Sequence, residues 1–146
     1  MSHQPVVTCD FYPTFLEASG VVGNTAHNAR VDGVSLVPLL KNPQHRLERD
    51  ALYWHYPHYH GGGATPHSAV RAGDWKLIEF FEDNRVELYN LKSDIGETRD
   101  LAKEQPERAQ QLRAQLRRWR RDVGAQLPTP NPNYDPQRAK SKPKRP

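Results

Sequence analysis

Sulfur is almost missing from this chain of 146 residues, which has one cysteine, Cys9, and one methionine, Met1. A single cysteine excludes an internal disulfide and leaves the redox compartment unreadable. Long apolar runs are missing too. No stretch approaches the roughly 18 consecutive apolar residues of a membrane helix. The opening residues, MSHQPVVTCDFYP, have no basic segment followed by an apolar run, so no secretory signal is read there. Apolar residues make up 36% of the chain and mean hydropathy is −0.90, both low for a compact globule. Thirteen prolines and nine glycines act in the same direction. The composition predicts a modest core, substantial loops and a loose tail, in a chain long enough for one domain with a real core.

The formal charge is +4. Much of the excess sits at the end, where Arg138, Lys140, Lys142, Lys144 and Arg145 face a lone acid, Asp135. Such a tail can touch nucleic acid or anionic surfaces. No aromatic stacking platform accompanies the charge, so it is read as a solvated end and nucleic acid is not expected as a partner.

Local signals divide the chain. Asp10 to Ser19 predicts a short helix closed by Gly20, with Asp10 as N-cap, Pro13 in the first turn, and Phe11, Phe15 and Leu16 on one face. Val21 to Val31 reads as a loop and Asp32-Gly33 as a turn. Val34 to Leu40 fits a helical turn or an extended piece equally well. Lys41 to Asp50 is a charged connector. Ala51 to Tyr56 alternates as a strand does, and His58 to Pro66, with three consecutive glycines, is a loop. Ser68 to Arg71 and Trp75 to Phe81 form a hairpin about Ala72-Gly73-Asp74. Val86 to Asn90 adds a further antiparallel strand after the Glu82-Asp83-Asn84 turn. Ala109, Leu112, Leu116, Trp119 and Val123 make one apolar stripe on a last helix that begins near Pro106 and ends at Gly124. Arg113, Arg117, Arg118, Arg120 and Arg121 mostly lie off that stripe. After Leu127 the chain is proline-rich.

The expected fold class is α+β: a four-stranded antiparallel sheet packed with a long C-terminal helix, plus a short N-terminal helix. The expected parts are residues 1–50 (helix and connector), 51–126 (sheet and long helix) and 127–146 (proline-rich basic tail). One amphipathic helix covers one face of a sheet. The bulky apolar groups between Leu52 and Tyr89 exceed what one face needs. Either the second face lacks its partner, leaving it open to another domain or a second copy, or the N-terminal helix and loop cover it.

Several segments in order resemble one family. They are CDFYPTFLEASG, DGVSLVPLL, then LYWHYPHYH and TPHSAVRAGDWKLIEFFEDNRVELYNLKSDIGETRDLA, then LPTPNPNY. Together, from about Val7 to about Tyr134, they resemble the C-terminal subdomain of bacterial-type sulfatases (arylsulfatases) of the alkaline phosphatase superfamily. The resemblance implies a parent enzyme that hydrolyses a sulfate ester using a formylglycine made within a C/S-x-P/A-x-R motif and a divalent cation, usually calcium. Cys9 is followed by Asp-Phe-Tyr-Pro-Thr and does not match that motif, and the family's paired-aspartate metal motif is missing. Cys9 is read as an ordinary small apolar residue. No catalytic residue and no cofactor is therefore assigned to this chain, whose expected partner is a missing N-terminal sulfatase domain. Relatives of this type are commonly exported, and the missing signal agrees with a missing N-terminal part. The compartment itself is not assigned.

The resemblance further implies that the loop before the small sheet lines the substrate cleft. Here that loop runs from His55 to Gly63. Imidazoles can hydrogen-bond hydroxyls and anionic groups, glycines permit close approach, and a guanidinium can hold a carboxylate or sulfate. The candidate substrate-binding residues are His58, His60, His67 and Arg71. Tyr56 and Tyr59 read equally as packing aromatics, and Arg71 as a partner of Asp74 or Glu79 near the hairpin. The His-x-x-His-x-His run also invites a zinc reading, but no fourth ligand is evident. Asp94 and Glu97 are read as a turn and helix-entry device. The isolated chain is expected to be inactive. The alternative is a free-standing, non-catalytic module that binds an anionic glycan or a protein partner.

Overall fold

Period-two alternation and turn chemistry build the sheet. In the computed structural model, which describes residues 1–60 and 62–134, the strands are β1 (Leu52–Tyr56), β2 (His67–Ala72), β3 (Trp75–Phe80) and β4 (Val86–Asn90). They pair antiparallel in the order β1-β2-β3-β4. Gly73 and Asp74 join β2 to β3, with Gly73 at φ +58°, a left-handed position where a side chain would be strained. Asn84, also left-handed at φ 58°, closes the β3–β4 turn, as asparagine can. The register places Tyr53 opposite Val70, Val70 opposite Leu77 and Leu77 opposite Leu88, all on one face.

That face is covered by α4 (Pro106–Asp122). Proline at its first turn has no N–H to leave unpaired. Ala109, Leu112 and Leu116 join Val70, Leu77 and Leu88 as the buried core, and Leu77, Leu88 and Leu116 are fully buried. Trp119 stacks on Tyr53 with ring centroids 4.8 Å apart. Val123, expected on the stripe, lies past the helix end and is exposed. Gly124 follows at φ +63°, and the amides of Val123, Gly124 and Ala125 satisfy the last carbonyls. The lead-in segment ties to the β4 edge: Leu101 N donates to Leu88 O at 2.7 Å, and Asp100 Oδ1 accepts from Leu88 N at 2.9 Å.

One charged residue interrupts the apolar seam. Glu79 faces α4 and is 2% exposed. Its Oε1 accepts from Arg113 Nε at 2.6 Å and Arg117 Nη2 at 2.7 Å, and its Oε2 accepts from Arg120 Nη2 at 2.6 Å. These arginines are spaced at 113, 117 and 120, one helical flank. Arg120 is itself buried, although the sequence reading placed it among arginines off the core. Burial alone would push the Glu79 carboxyl up; the bonds from Arg117 and Arg113, with the charge of Arg120, outweigh it and hold the group below its usual range.

The chain divides into two compact units, Met1–Asp50 and Ala51–Pro146. The first holds α1 (Phe11–Ser19), α2 (Thr25–Asn28) and α3 (Val37–Lys41). Two points of the sequence reading change here. The expected loop from Val21 to Val31 contains α2, capped by Asn24 Oδ1 accepting from His27 N at 3.0 Å. The apolar segment left open becomes helical at α3, with Pro38 in its first turn. Asp10 precedes α1 but makes no side-chain cap bond to it. Its carboxylate is wholly buried and takes a two-pronged ion pair from Arg49, with Nη1 to Oδ1 at 2.7 Å and Nη2 to Oδ2 at 2.8 Å. The amides of Val7 and Val34 donate to it as well. Those bonds overcome the opposing effect of burial and hold the group below its ordinary range. Gly33 lies so close to the Cys9 carbonyl that a Cβ would sit 2.0 Å from that oxygen. Gly20 closes α1 in a left-handed conformation. Phe11 and Phe15 do share a face, stacked at 6.0 Å, but they are 51% and 67% exposed.

Among the described residues no helix is long and apolar enough to cross a membrane. The proline-rich tail is described to Tyr134, and residues 135–146, which carry Asp135 and the basic residues from Arg138 to Arg145, lie outside the described residues.

Leu116→Ala should cost about 2–5 kcal/mol of stability, the range for a large-to-small change in a filled core. Urea unfolding followed by tryptophan fluorescence measures this, because Trp54, Trp75 and Trp119 all lie in the second unit. A carboxyl whose folded pKa is depressed stabilises the fold above its unfolded pKa and loses that contribution as pH falls through the folded value. The urea midpoint should therefore be level above about pH 5 and fall below about pH 4. Glu79→Gln should lower the plateau and flatten the acid limb.

Candidate functional site

The face of the sheet opposite α4 carries the candidate residues. Alternation along β1 and β2 places Leu52, Trp54 and Tyr56 beside Arg71, Ala69 and His67, with Lys76, Ile78 and Phe80 of β3 next in register. A depression of about 500 Å³ opens there, lined by Trp54, Tyr56, His67, Arg71, Lys76 and Glu97 among others. Trp54 is 39% exposed. The surface combines an aromatic face with cations and one carboxylate, a suitable lining for an anionic polar ligand.

His67 and Arg71 both line this depression, four residues apart on one strand, or about 13 Å by strand rise. His67 Nδ1 donates to Thr65 O at 2.7 Å. That bond fixes the neutral tautomer and leaves Nε2 as the acceptor. Arg71 donates Nε to Gly73 O at 3.4 Å and makes no ion pair among the described residues. It therefore pairs with neither Asp74 nor Glu79, and Glu79 occupies the other face of the sheet. Lys76, directly opposite Arg71, donates Nζ to both Glu97 oxygens at 2.6 and 2.7 Å. The cross-strand like-charge pair is thus half neutralised, and the Arg71 guanidinium is the cation left without a carboxylate.

His58 reaches the site through rings. It meets Tyr56 edge-on at 5.7 Å, Tyr56 meets His67 at 5.9 Å, and His67 meets Phe80 at 6.0 Å. His60 lies outside the lining; its Nδ1 accepts from Gly62 N at 3.1 Å within its own turn. Gly61 of that turn lies outside the described residues. His55, the first residue of the expected loop, belongs to β1 and points to the α4 side, where Nδ1 meets Ser68 Oγ at 2.7 Å and Nε2 donates to Gln126 O at 2.8 Å. Tyr59 is exposed and donates to Glu82 Oε1 at 2.8 Å. Sequence reasoning did not single out Trp54, Lys76 or Glu97 for this face. The strand alternation could have found the first two; Glu97 arrives from a turn with φ 54° and carries no such signal. Asp94 does act as the turn device, accepting from the amides of Thr98 and Arg99 at 2.9 Å each.

No three His, Cys, Asp or Glu side chains converge as a metal-holding group among the described residues. Cys9 is exposed, and partial desolvation with the neighbouring Asp10 carboxylate pushes its thiol up, away from the thiolate.

The strand order, the helix on one face and the polar face opposite define an α+β subdomain of two packed layers. Residues 1–122 match the family described as N-sulphoglucosamine sulphohydrolase, C-terminal, and the chain belongs to that family. It is 35% identical to a sulfatase of Formosa agariphila over 80% of this chain and 23% of that protein. It is 34% identical to an N-acetylglucosamine-6-O-sulfatase of Bacteroides thetaiotaomicron over 63% of this chain and 16% of that protein. Among solved structures it resembles a protein in complex with its substrate D-glucosamine-2-N,6-O-disulfate, at 30% identity, TM-score 0.63, over 77% of this chain and 23% of the other. A 2-O glycosaminoglycan sulfatase at 24% identity and TM-score 0.66 shares the fold, matched over 80% of this chain and 25% of the other. The chain thus spans under a quarter of the length of these curated relatives.

Nitrogen-15 NMR at a pH where His67 is neutral should show Nδ1 protonated and Nε2 bare, the reverse of the usual solution preference. Replacing Thr65 leaves the accepting carbonyl in place and should preserve that signature.

Proposed function

We propose that this chain is the C-terminal part of a sulfatase that hydrolyses a sulfate ester, and that it completes the fold and forms one wall of the substrate cleft. One observation carries this reading: His67 and the uncompensated Arg71 lie with Trp54 and Lys76 around a single depression on the helix-free face. In this role Arg71 holds an anionic substituent, His67 offers Nε2 to a hydroxyl, and His58 and His60 approach from the segment that follows β1. The substrate class is a sulfated sugar, supported by the names of relatives at 30% identity and above. The formylglycine, the calcium and the catalytic residues belong to the N-terminal sulfatase domain, with which this chain functions. The exposed Phe11 and Phe15 face of α1 supports a requirement for such a partner, since exposed aromatic pairs of this kind mark contact surfaces.

On this reading the pure chain hydrolyses no aryl sulfate above the buffer blank. A chimera in which it replaces the matching segment of the Formosa agariphila sulfatase should retain hydrolysis. In that chimera Arg71→Ala and His67→Ala should each lower kcat/KM about tenfold or more, the loss of one charge-assisted or buried hydrogen bond, with thermal midpoints unchanged. Turnover by the pure chain, or chimeric variants as active as the parent, would overturn the proposal. Tight binding of a sulfated oligosaccharide by the pure chain, with an inactive chimera, would instead establish the free-standing binding module.

A further inference from the structure

Charge is not balanced at the C-terminal end of α4. Arg113, Arg117 and Arg120 converge on one carboxylate, Glu79, and that carboxylate has no second acid beside it among the described ion pairs. Three cations against one anion leave an excess of two positive charges around a buried centre. Arg120 is the most deeply placed, with 9% of its side chain exposed. It donates Nη2 to Glu79, holds its guanidinium carbon 5.1 Å from the Phe81 ring, and leaves Nη1 buried with no hydrogen-bond partner. A buried guanidinium donor without a partner is costly and rare in native proteins.

A depression of about 530 Å³ adjoins this centre and shares no lining residue with the one on the helix-free face. Arg117, Arg120 and Arg121 all line it, with Phe81, Gly124 and Leu127. Arg121 makes no ion pair among the described residues. The guanidiniums are not occupied in capping the helix, because the amides of Val123, Gly124 and Ala125 take the last carbonyls. The one carboxylate in its lining, Glu79, is taken up by Arg113, Arg117 and Arg120, so Arg121 lines the depression without an acid of its own among the described ion pairs. Planar guanidinium forks match the paired oxygens of sulfate and phosphate groups.

We infer that this depression is a second ligand site, outside the proposed cleft, that takes a tetrahedral oxyanion on Arg117, Arg120 and Arg121. The bound group is a free sulfate or phosphate ion, or the sulfate of a sugar. Its negative charge, two on free sulfate and one on a sulfate ester, offsets the excess left by Glu79 in whole or in part. The site rests on α4 and β3, so occupancy also fastens the helix to the sheet.

Thermal unfolding of the 146-residue chain, read by tryptophan fluorescence, tests this with sodium sulfate, sodium phosphate and glucosamine 6-sulfate at low millimolar concentration. Sodium chloride at equal ionic strength is the control, since sulfate at high concentration stabilises proteins generally. The expected result is a saturable rise in midpoint of about 4 °C or more at tenfold excess over the dissociation constant, absent with chloride. A larger effect of the sugar sulfate that persists in the Arg71→Gln protein assigns the site to a glycan, and a larger effect of the free ions assigns it to the ion. Arg121→Gln leaves all three Glu79 partners in place, so the fold is kept, and it should weaken binding about tenfold. Arg117→Gln with Arg121→Gln should abolish the saturable shift, whereas Arg71→Gln should leave it unchanged. Equal shifts in sulfate and chloride, full binding by the Arg121→Gln protein, or loss of binding in Arg71→Gln would overturn the assignment.

Discussion

The carboxylate of Glu79 is the constraint on which the second unit depends. A glutamate on the helix-facing side of β3 cannot stay ionised beneath α4 unless cations reach it, because a lone buried charge costs several kcal/mol. Three arginines on one flank of α4 meet that need, and in doing so they fix the rotation and axial position of the helix over the sheet. The apolar stripe alone specifies which side of α4 faces down. Ion pairs of defined geometry specify where along the strands it rests. The same solution leaves more positive charge than Glu79 can neutralise, so the structural pin and the anion-binding end of α4 have one origin.

The first unit solves a related problem with less apolar material. Its buried apolar residues are Val37 and Leu47. Stability comes instead from a polar centre, where Asp10 accepts from two amides and a two-pronged guanidinium 39 positions later. Arg49 Nη2 continues to the Pro5 carbonyl at 2.6 Å, and Thr14 Oγ1, which donates to the Asp10 carbonyl, accepts from Leu36 N. Three segments distant in sequence are thereby held through one residue. Such a network is satisfied or fails as a whole. It also allows α1 to leave Phe11 and Phe15 outward, since the unit does not need them for its own cohesion.

The two faces of the sheet show how one strand pattern serves two purposes. On the α4 side Tyr53, Val70, Leu77 and Leu88 pack against the helix, and His55, Ser68 and Glu79 of the same face are held by hydrogen bonds and ion pairs. On the other side they are Trp54, Tyr56, His67, Arg71 and Lys76, with polar ends presented around a depression. A strand alternates faces at every residue, so structural and recognition residues lie side by side in the chain without sharing an environment. His55 and Tyr56 illustrate this: adjacent in sequence, one is fixed to Ser68 and Gln126 beneath the helix and the other joins the ring series reaching His58.

Periodicity and turn chemistry made much of the fold legible from sequence. The four strands, the Gly73 turn, the left-handed stop at Gly20 and the stripe of α4 follow from spacing and from residues with strong local preferences. The order of the sulfatase-like segments indicated the family for the same reason, as those segments are local. Pairings across long separations were not legible. Asp10 reads locally as a helix cap, and tertiary structure made it the partner of Arg49; Arg120 reads as a solvent-side charge, and the fold buried it against Glu79. Glu97 reached Lys76 only because a turn brought it over the sheet. A local sequence states which conformation a segment prefers, whereas a charge finds its partner through the three-dimensional path of the chain. Sequence therefore determined the elements of this protein and its lineage. Tertiary structure decided which carboxylates are buried, which arginines neutralise them, and that Arg71 has no carboxylate partner among the described residues.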